Sequence, residues 1–233
     1  MKRFYAALLA LPIAVAISSA PAGAALRAPQ LGFGSPALQN HLDSQGESIN
    51  VLTDQQDALE WGTTVSGNST LTIQFDVAGN ISGCELGIAK LDATGKIVTG
   101  LVPVFPATAG NGCFAVASFR PGDLVVVNLF NPLAQLADTK SFTGVNKARF
   151  AYYIKWNGNT YYSHDGFNSD GMVHALTFAG NGQNTGCWWQ CWEESELTDY
   201  AQADFNDAVV FMESLNPTPV SHMTWGRVKA RFR

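Results

Sequence analysis

The sequence predicts an all-β protein, an antiparallel β-sandwich of jelly-roll type, on three observations. Ser69-Thr-Leu-Thr-Ile-Gln-Phe75 alternates polar and apolar residues with a period of two, the mark of a strand with one buried face. Short β-branched and aromatic runs recur along the chain, separated by clusters of Gly, Asn, Asp and Pro, as in a sandwich. Long stretches with a 3.6-residue period, which a helix-rich α/β enzyme needs, are absent.

In chain order, residues 1–24 read as a secretory signal peptide. Lys2 and Arg3 form the basic start, residues 6–17 the apolar run, and Ala22-Gly23-Ala24 the small residues before a cleavage point. The apolar run is shorter than the roughly 20 residues of a spanning helix. Residues 25–62 form a lead-in, with a short helix expected around residues 53–60. The sandwich is expected over residues 63–216. Beyond 69–75, the expected strands are residues 84–91, 97–104, 113–119, 124–129, 148–156, 161–163, 172–178 and 208–215. Asn157-Gly158 is the sharpest hairpin signal, because a type I′ turn needs positive φ at both central residues. Pro217 and Pro219 are expected to end the sandwich, leaving residues 217–233 as a linker and a basic-aromatic tail.

The chain has 233 residues, 46% hydrophobic and 14% charged, which sets it apart from disordered, collagenous and disulfide-miniprotein classes. Its net charge is −5, and loss of Lys2 and Arg3 on cleavage makes it −7, against the basic footprint that nucleic acid requires. The charge is unevenly placed. No Lys or Arg lies between Lys155 and Arg227, yet nine of the 19 acids do: Asp165, Asp170, Glu193, Glu194, Glu196, Asp199, Asp204, Asp207 and Glu213. Export favours disulfides among the four cysteines. Of three connectivities, Cys84–Cys113 with Cys187–Cys191 is preferred. The second pair requires a turn through Trp188-Trp189-Gln190, since four steps of extended strand span roughly 13 Å.

Two acidic segments draw the chemistry. In Asp204-Phe205-Asn206-Asp207, three short oxygen-bearing side chains stand at the mouth of an apolar strand, where they can converge on one hard cation, with Phe205 pointing into the core. Glu193 and Glu194 follow the aromatic cluster of Trp188, Trp189 and Trp192. A second segment, Asp165-Gly-Phe-Asn168-Ser-Asp170-Gly171, resembles part of a calcium loop but reads equally as an Asx-rich turn. Of the histidines, His174 reads as packed in a strand and His164 as a loop residue. Three clustered tryptophans either pack in the core or stack on sugars. No nucleophile elbow, zincin helix or phosphate loop is present.

The stretch from Asp165 to Phe178, then Trp192-Glu-Glu194, then Asp204-Phe-Asn-Asp-Ala-Val-Val210, resembles domain-of-unknown-function family 4114, found in exported bacterial surface proteins. The resemblance covers the last third of the mature chain, residues 165–215. It implies a β-sandwich with Ca²⁺ ligands at Glu193, Asp204, Asn206 and Asp207, and no established reaction. Glu194 stands where the family has Asp.

The leading expectation is an exported, non-enzymatic protein of the cell surface or exterior, with one structural Ca²⁺ site drawn from Glu193, Glu194, Asp204, Asn206, Asp207 and Asp170. It would serve surface structure or adhesion, with a cell-surface glycan or surface protein as partner. A carbohydrate-binding module using Trp188, Trp189 and Trp192 is the alternative, and a carboxylate-based hydrolase the next. The tail carries Arg227, Lys229, Arg231 and Arg233, with Trp225, Val228 and Phe232 on one helical stripe. It reads either as a frayed terminus or as a dock for an acidic partner or membrane surface.

Overall fold

A computed structural model describes residues 36–64, 67–75, 83–200 and 203–218. The signal-peptide and tail readings lie outside these residues. Two antiparallel sheets face each other. The first runs β13 (Leu215–Thr218), β1 (Glu60–Thr63), β8 (Phe150–Trp156), β3 (Glu85–Leu91) and β4 (Ile97–Phe105), with β9 (Asn159–Tyr162) also paired to β8. The second runs β10 (Ala175–Ala179), β11 (Trp188–Trp192), β12 (Ala208–Glu213), β2 (Asn68–Phe75), β5 (Phe114–Arg120), β6 (Leu124–Phe130) and β7 (Leu136–Phe142). The all-β sandwich expected from the sequence is the fold.

Alternation builds the core between the sheets. Ile88, Val102, Val104, Phe150, Tyr152 and Ile154 point inward from the first sheet, and Ala115, Ala117, Val125, Val127, Val210 and Met212 from the second. Each large side chain so buried stabilises the fold by about 1.5–3 kcal/mol. The β8–β9 hairpin turns at Asn157 and Gly158, whose φ values of 47° and 87° are the pair that a type I′ turn demands.

A second core lies outside the second sheet and explains the lead-in. Helix α1 (Pro36–Ser44) opens on Pro36, suited to a first turn, and ends where Gly46 adopts a φ of 76° and the Glu47 N–H returns to the Leu42 carbonyl. Leu38 and Leu42, four residues apart on one helix face, pack with Ile49 and Val51 over Leu176, Phe178, Trp189 and Val209. Glu47 latches this layer down. Its carboxylate accepts from the Asn181 N–H, from Asn184 Nδ2 at 2.7 Å and from Trp189 Nε1 at 2.8 Å.

Two expectations about elements are corrected. The helix is at Pro36–Ser44, not at residues 53–60. In the latter stretch the Gln56 N–H is given to Thr177 O at the edge of β10 instead of to a carbonyl one helical turn back, and Glu60 already opens β1. Pro217 does not end the sandwich. It sits opposite Trp61 in β13, an edge strand, where the missing N–H costs no ladder bond. The lead-in and the sandwich are thus packed together, with strands running from Glu60 to Thr218. No described helix is long and apolar enough to cross a membrane.

Candidate metal centre

Strand register assembles the acidic group. In the β11–β12 pair Trp192 faces Ala208, so the residues just past them, Glu193 and Asp207, meet at the same end of the sheet. The Asp207 N–H donates to Trp192 O at 3.2 Å and extends the ladder by one step. Phe205 adopts a φ of 52°, a left-handed conformation that a bulky residue rarely holds, and its ring is fully buried in the outer core. That one residue anchors the loop, as the sequence led us to expect. Around it the backbone curls onto the carboxylates: the Asp204 N–H donates to Glu193 Oε2 at 3.3 Å, and the Asn206 N–H to Asp204 Oδ1 at 3.4 Å.

The result is three carboxylates, Glu193, Asp204 and Asp207, whose ligand oxygens all lie within 4.8 Å of one another. Glu193 and Asp207 are each only 6% exposed, and Glu194 and Asn206 beside them are buried too. The Glu194 N–H donates to Asp207 Oδ2 at 3.2 Å. No Lys or Arg pairs with Glu193, Asp204 or Asp207 among the described residues. Burial therefore raises the Glu193 carboxyl to about 7, with the neighbouring Glu194 charge adding to it. It raises Asp207 to about 10, helped by its hydrogen bond with Glu194 and by the charges of Glu193 and Glu194. Without a cation, the group must keep protons far above the ordinary carboxylate range.

The donor set is all hard oxygen, without thiolate or imidazole, which suits Ca²⁺ or a similar cation better than zinc. Oxygens on opposite sides of one Ca²⁺ stand about 4.6–5.2 Å apart, so the cluster is dimensioned for a single ion. The fit is good in charge, in ligand type and in spacing.

Asp170, expected among the ligands, is not part of this group. Its Oδ2 lies 2.8 Å from His174 Nε2 and also takes the Leu197 N–H, while Oδ1 takes the Met172 N–H. These bonds hold its carboxyl below the usual range although burial, the largest influence, pushes the other way. Asn168 is likewise spent on backbone: it takes the Tyr162 N–H and donates to Tyr162 O and Met172 O. The segment 165–171 is the Asx-rich turn of the plainer reading.

His174 is packed, as its sequence reading has it, and it also links the two acidic segments. It is fully buried, its ring stacks on Tyr161 at 3.7 Å, and its Nδ1 sits 2.9 Å from the Glu193 carbonyl. Through it, Asp170 supports the backbone of Glu193 from behind. An Asp four residues ahead of a His at the mouth of β10 was the only signal available.

The tryptophans do not form a sugar platform. Trp189 and Trp192 are buried on opposite faces of β11. Trp188 is half-buried, edge-on to Trp61 at 5.6 Å, with Nε1 donating to Leu215 O. The cysteine pairing also fails. Trp188-Trp189-Gln190 is straight strand, so Cys187 and Cys191 are held a strand's length apart, and no disulfide joins Cys84 and Cys113. No protein-family model and no curated protein matches the chain.

Proposed function

We propose that the protein is an exported, non-enzymatic bacterial β-sandwich in which one Ca²⁺ pins the Glu193 loop to the start of β12, and that it acts in surface structure or adhesion outside the cell. The observation that carries this reading is the convergence of Glu193 and Asp207, both buried, with the half-buried Asp204, their ligand oxygens all within 4.8 Å of one another. On this reading Glu194, hydrogen-bonded to Asp207, and Asn206, in the same loop, would add oxygens to the set. The basic and apolar start of the sequence supports export. The closing motif, Asp204-Phe-Asn-Asp207, supports kinship with domain-of-unknown-function family 4114.

The ion's role is structural. It replaces the retained protons with two positive charges and ties together residues 11 to 14 apart in sequence. Its binding to the folded chain alone stabilises by about 2.7 kcal/mol at a hundredfold excess over Kd. Burial also argues against the hydrolase alternative. A glycoside needs acid and base across an open cleft, whereas Glu193 and Asp207 are 6% exposed and close on each other. The extracellular partner on this reading is a surface glycan or surface protein. The test is scanning calorimetry with Ca²⁺ and with EGTA. The transition midpoint rises with Ca²⁺, and Asp207→Ala abolishes the rise; equal midpoints for the wild type remove the site.

A further inference from the structure

The two edges of the seven-stranded sheet are treated differently. At β10 the lead-in crosses the edge, and the Gln56 N–H bonds Thr177 O at 2.8 Å. At β7 residues 136–141 are exposed without interruption, and no described strand pairs beyond them. Leu133, 78% exposed, and Leu136, 59% exposed, are two of the three large hydrophobic residues left in solvent on the described surface. An edge with no described strand beyond it, flanked by solvated leucines, is a template for another strand, one that must take over the Thr139 N–H now donated to Asp138 Oδ1 at 2.8 Å.

The sequence of β7, Leu136-Ala-Asp-Thr-Lys-Ser-Phe142, indicates which strand. Reversed about Thr139, its regular stretch matches itself, with Asp138 opposite Lys140, whereas the register against β6 shifts between Leu129 and Phe130 and leaves residues 136–138 irregular. Asp138 and Lys140 share one face of the strand and reach each other at 3.0 Å, both roughly half exposed. A charge placed only to guard the edge needs no opposite charge two residues away. A self-pairing edge does, because cross-strand pairs of opposite sign stabilise and like pairs oppose.

We propose that β7 is a self-association edge, and that two copies of the chain pair their β7 strands antiparallel about a twofold axis at Thr139. The axis stands perpendicular to the sheet, so each residue keeps its face. Asp138 of one copy bonds Lys140 of the other, twice over by symmetry. The contact is isologous and closes after two copies.

Sedimentation of the full chain over a concentration series, up to several hundred micromolar, tests this. The wild type shows a monomer–dimer equilibrium. Lys140→Asp sets like charges opposite each other at both pairs and weakens the dimer roughly tenfold. The charge swap Asp138→Lys with Lys140→Asp restores it, because the reversed pattern is still self-complementary. Thr139→Cys, beyond the wild-type control, oxidises to a covalent dimer, since directly opposed residues have Cα atoms about 4.5–5.5 Å apart, within disulfide reach. A wild type that stays monomeric throughout overturns the proposal and leaves the charges as edge guards. So does a dimer indifferent to Lys140→Asp, or a swap that fails to restore association.

Discussion

Replacing Asp207 by Asn should stabilise the metal-free protein, the reverse of what most buried substitutions do. Asp207 keeps its proton up to about 10 because of burial and the adjacent Glu194 and Glu193. At pH 7 that is roughly 3 pH steps above its ordinary value of 3.8, each costing about 1.4 kcal/mol, so the folded chain carries about 4 kcal/mol that a neutral amide does not. Asn preserves shape and the acceptor for the Glu194 N–H. The sign follows from linkage. Between about pH 4 and pH 10 the folded state binds more protons than the unfolded state, so metal-free stability falls as pH rises. Glu193 contributes in the same sense, from its ordinary 4.5 up to about 7. Urea unfolding in EGTA at pH 4 and pH 7 measures this. The variant should match the wild type at pH 4 and exceed it at pH 7, while losing most of the calcium response. A variant less stable than wild type at pH 7 in EGTA refutes the electrostatic account of the cluster.

Three further perturbations probe the surroundings. Asp170→Asn breaks the buried contact with His174 at 2.8 Å and should cost on the order of 3 kcal/mol in urea unfolding, with calcium affinity reduced through the slackened Glu193 backbone. A loss within experimental error would deny the pair its supporting role. Glu47→Ala leaves Trp189 Nε1 and Asn184 without their acceptor and should loosen α1 from the sheet, seen as faster amide exchange over residues 36–51 and about 2–3 kcal/mol of lost stability. In native protein, thiol reagents should spare Cys191, which is fully buried with its thiol pushed well up by that burial, until the chain unfolds. Rapid labelling of Cys191 in the folded state contradicts the packing of the outer core.

Most of the sandwich was legible because half-buried strands announce themselves by alternation, and β8–β9 by its Asn157-Gly158 turn. What escaped notice did so for physical reasons. In β11 one face meets the main core through Trp188 and Trp192, and the other meets α1 through Trp189 and Cys191, so no period of two survives. Strand β7 escaped for the opposite reason, since neither face is buried. The lead-in helix was misplaced because, among its residues whose burial is described, Leu38 and Leu42 are the buried ones, a stripe too short to stand out. At the site, Asp204, Asn206 and Asp207 stood out by spacing and Glu193 by its place after the aromatic cluster. Only the β11–β12 register could show that they meet and that Asp170 does not join them.

Isothermal titration of Ca²⁺ into the chelator-stripped full chain at pH 7.5, in two buffers of different ionisation enthalpy, addresses the central claim most directly. The account predicts one Ca²⁺ bound per chain, with release of about one proton, because Asp207 holds its proton at this pH and must yield it to the ion. The absence of binding, or binding without proton release that persists in Asp207→Ala, contradicts it.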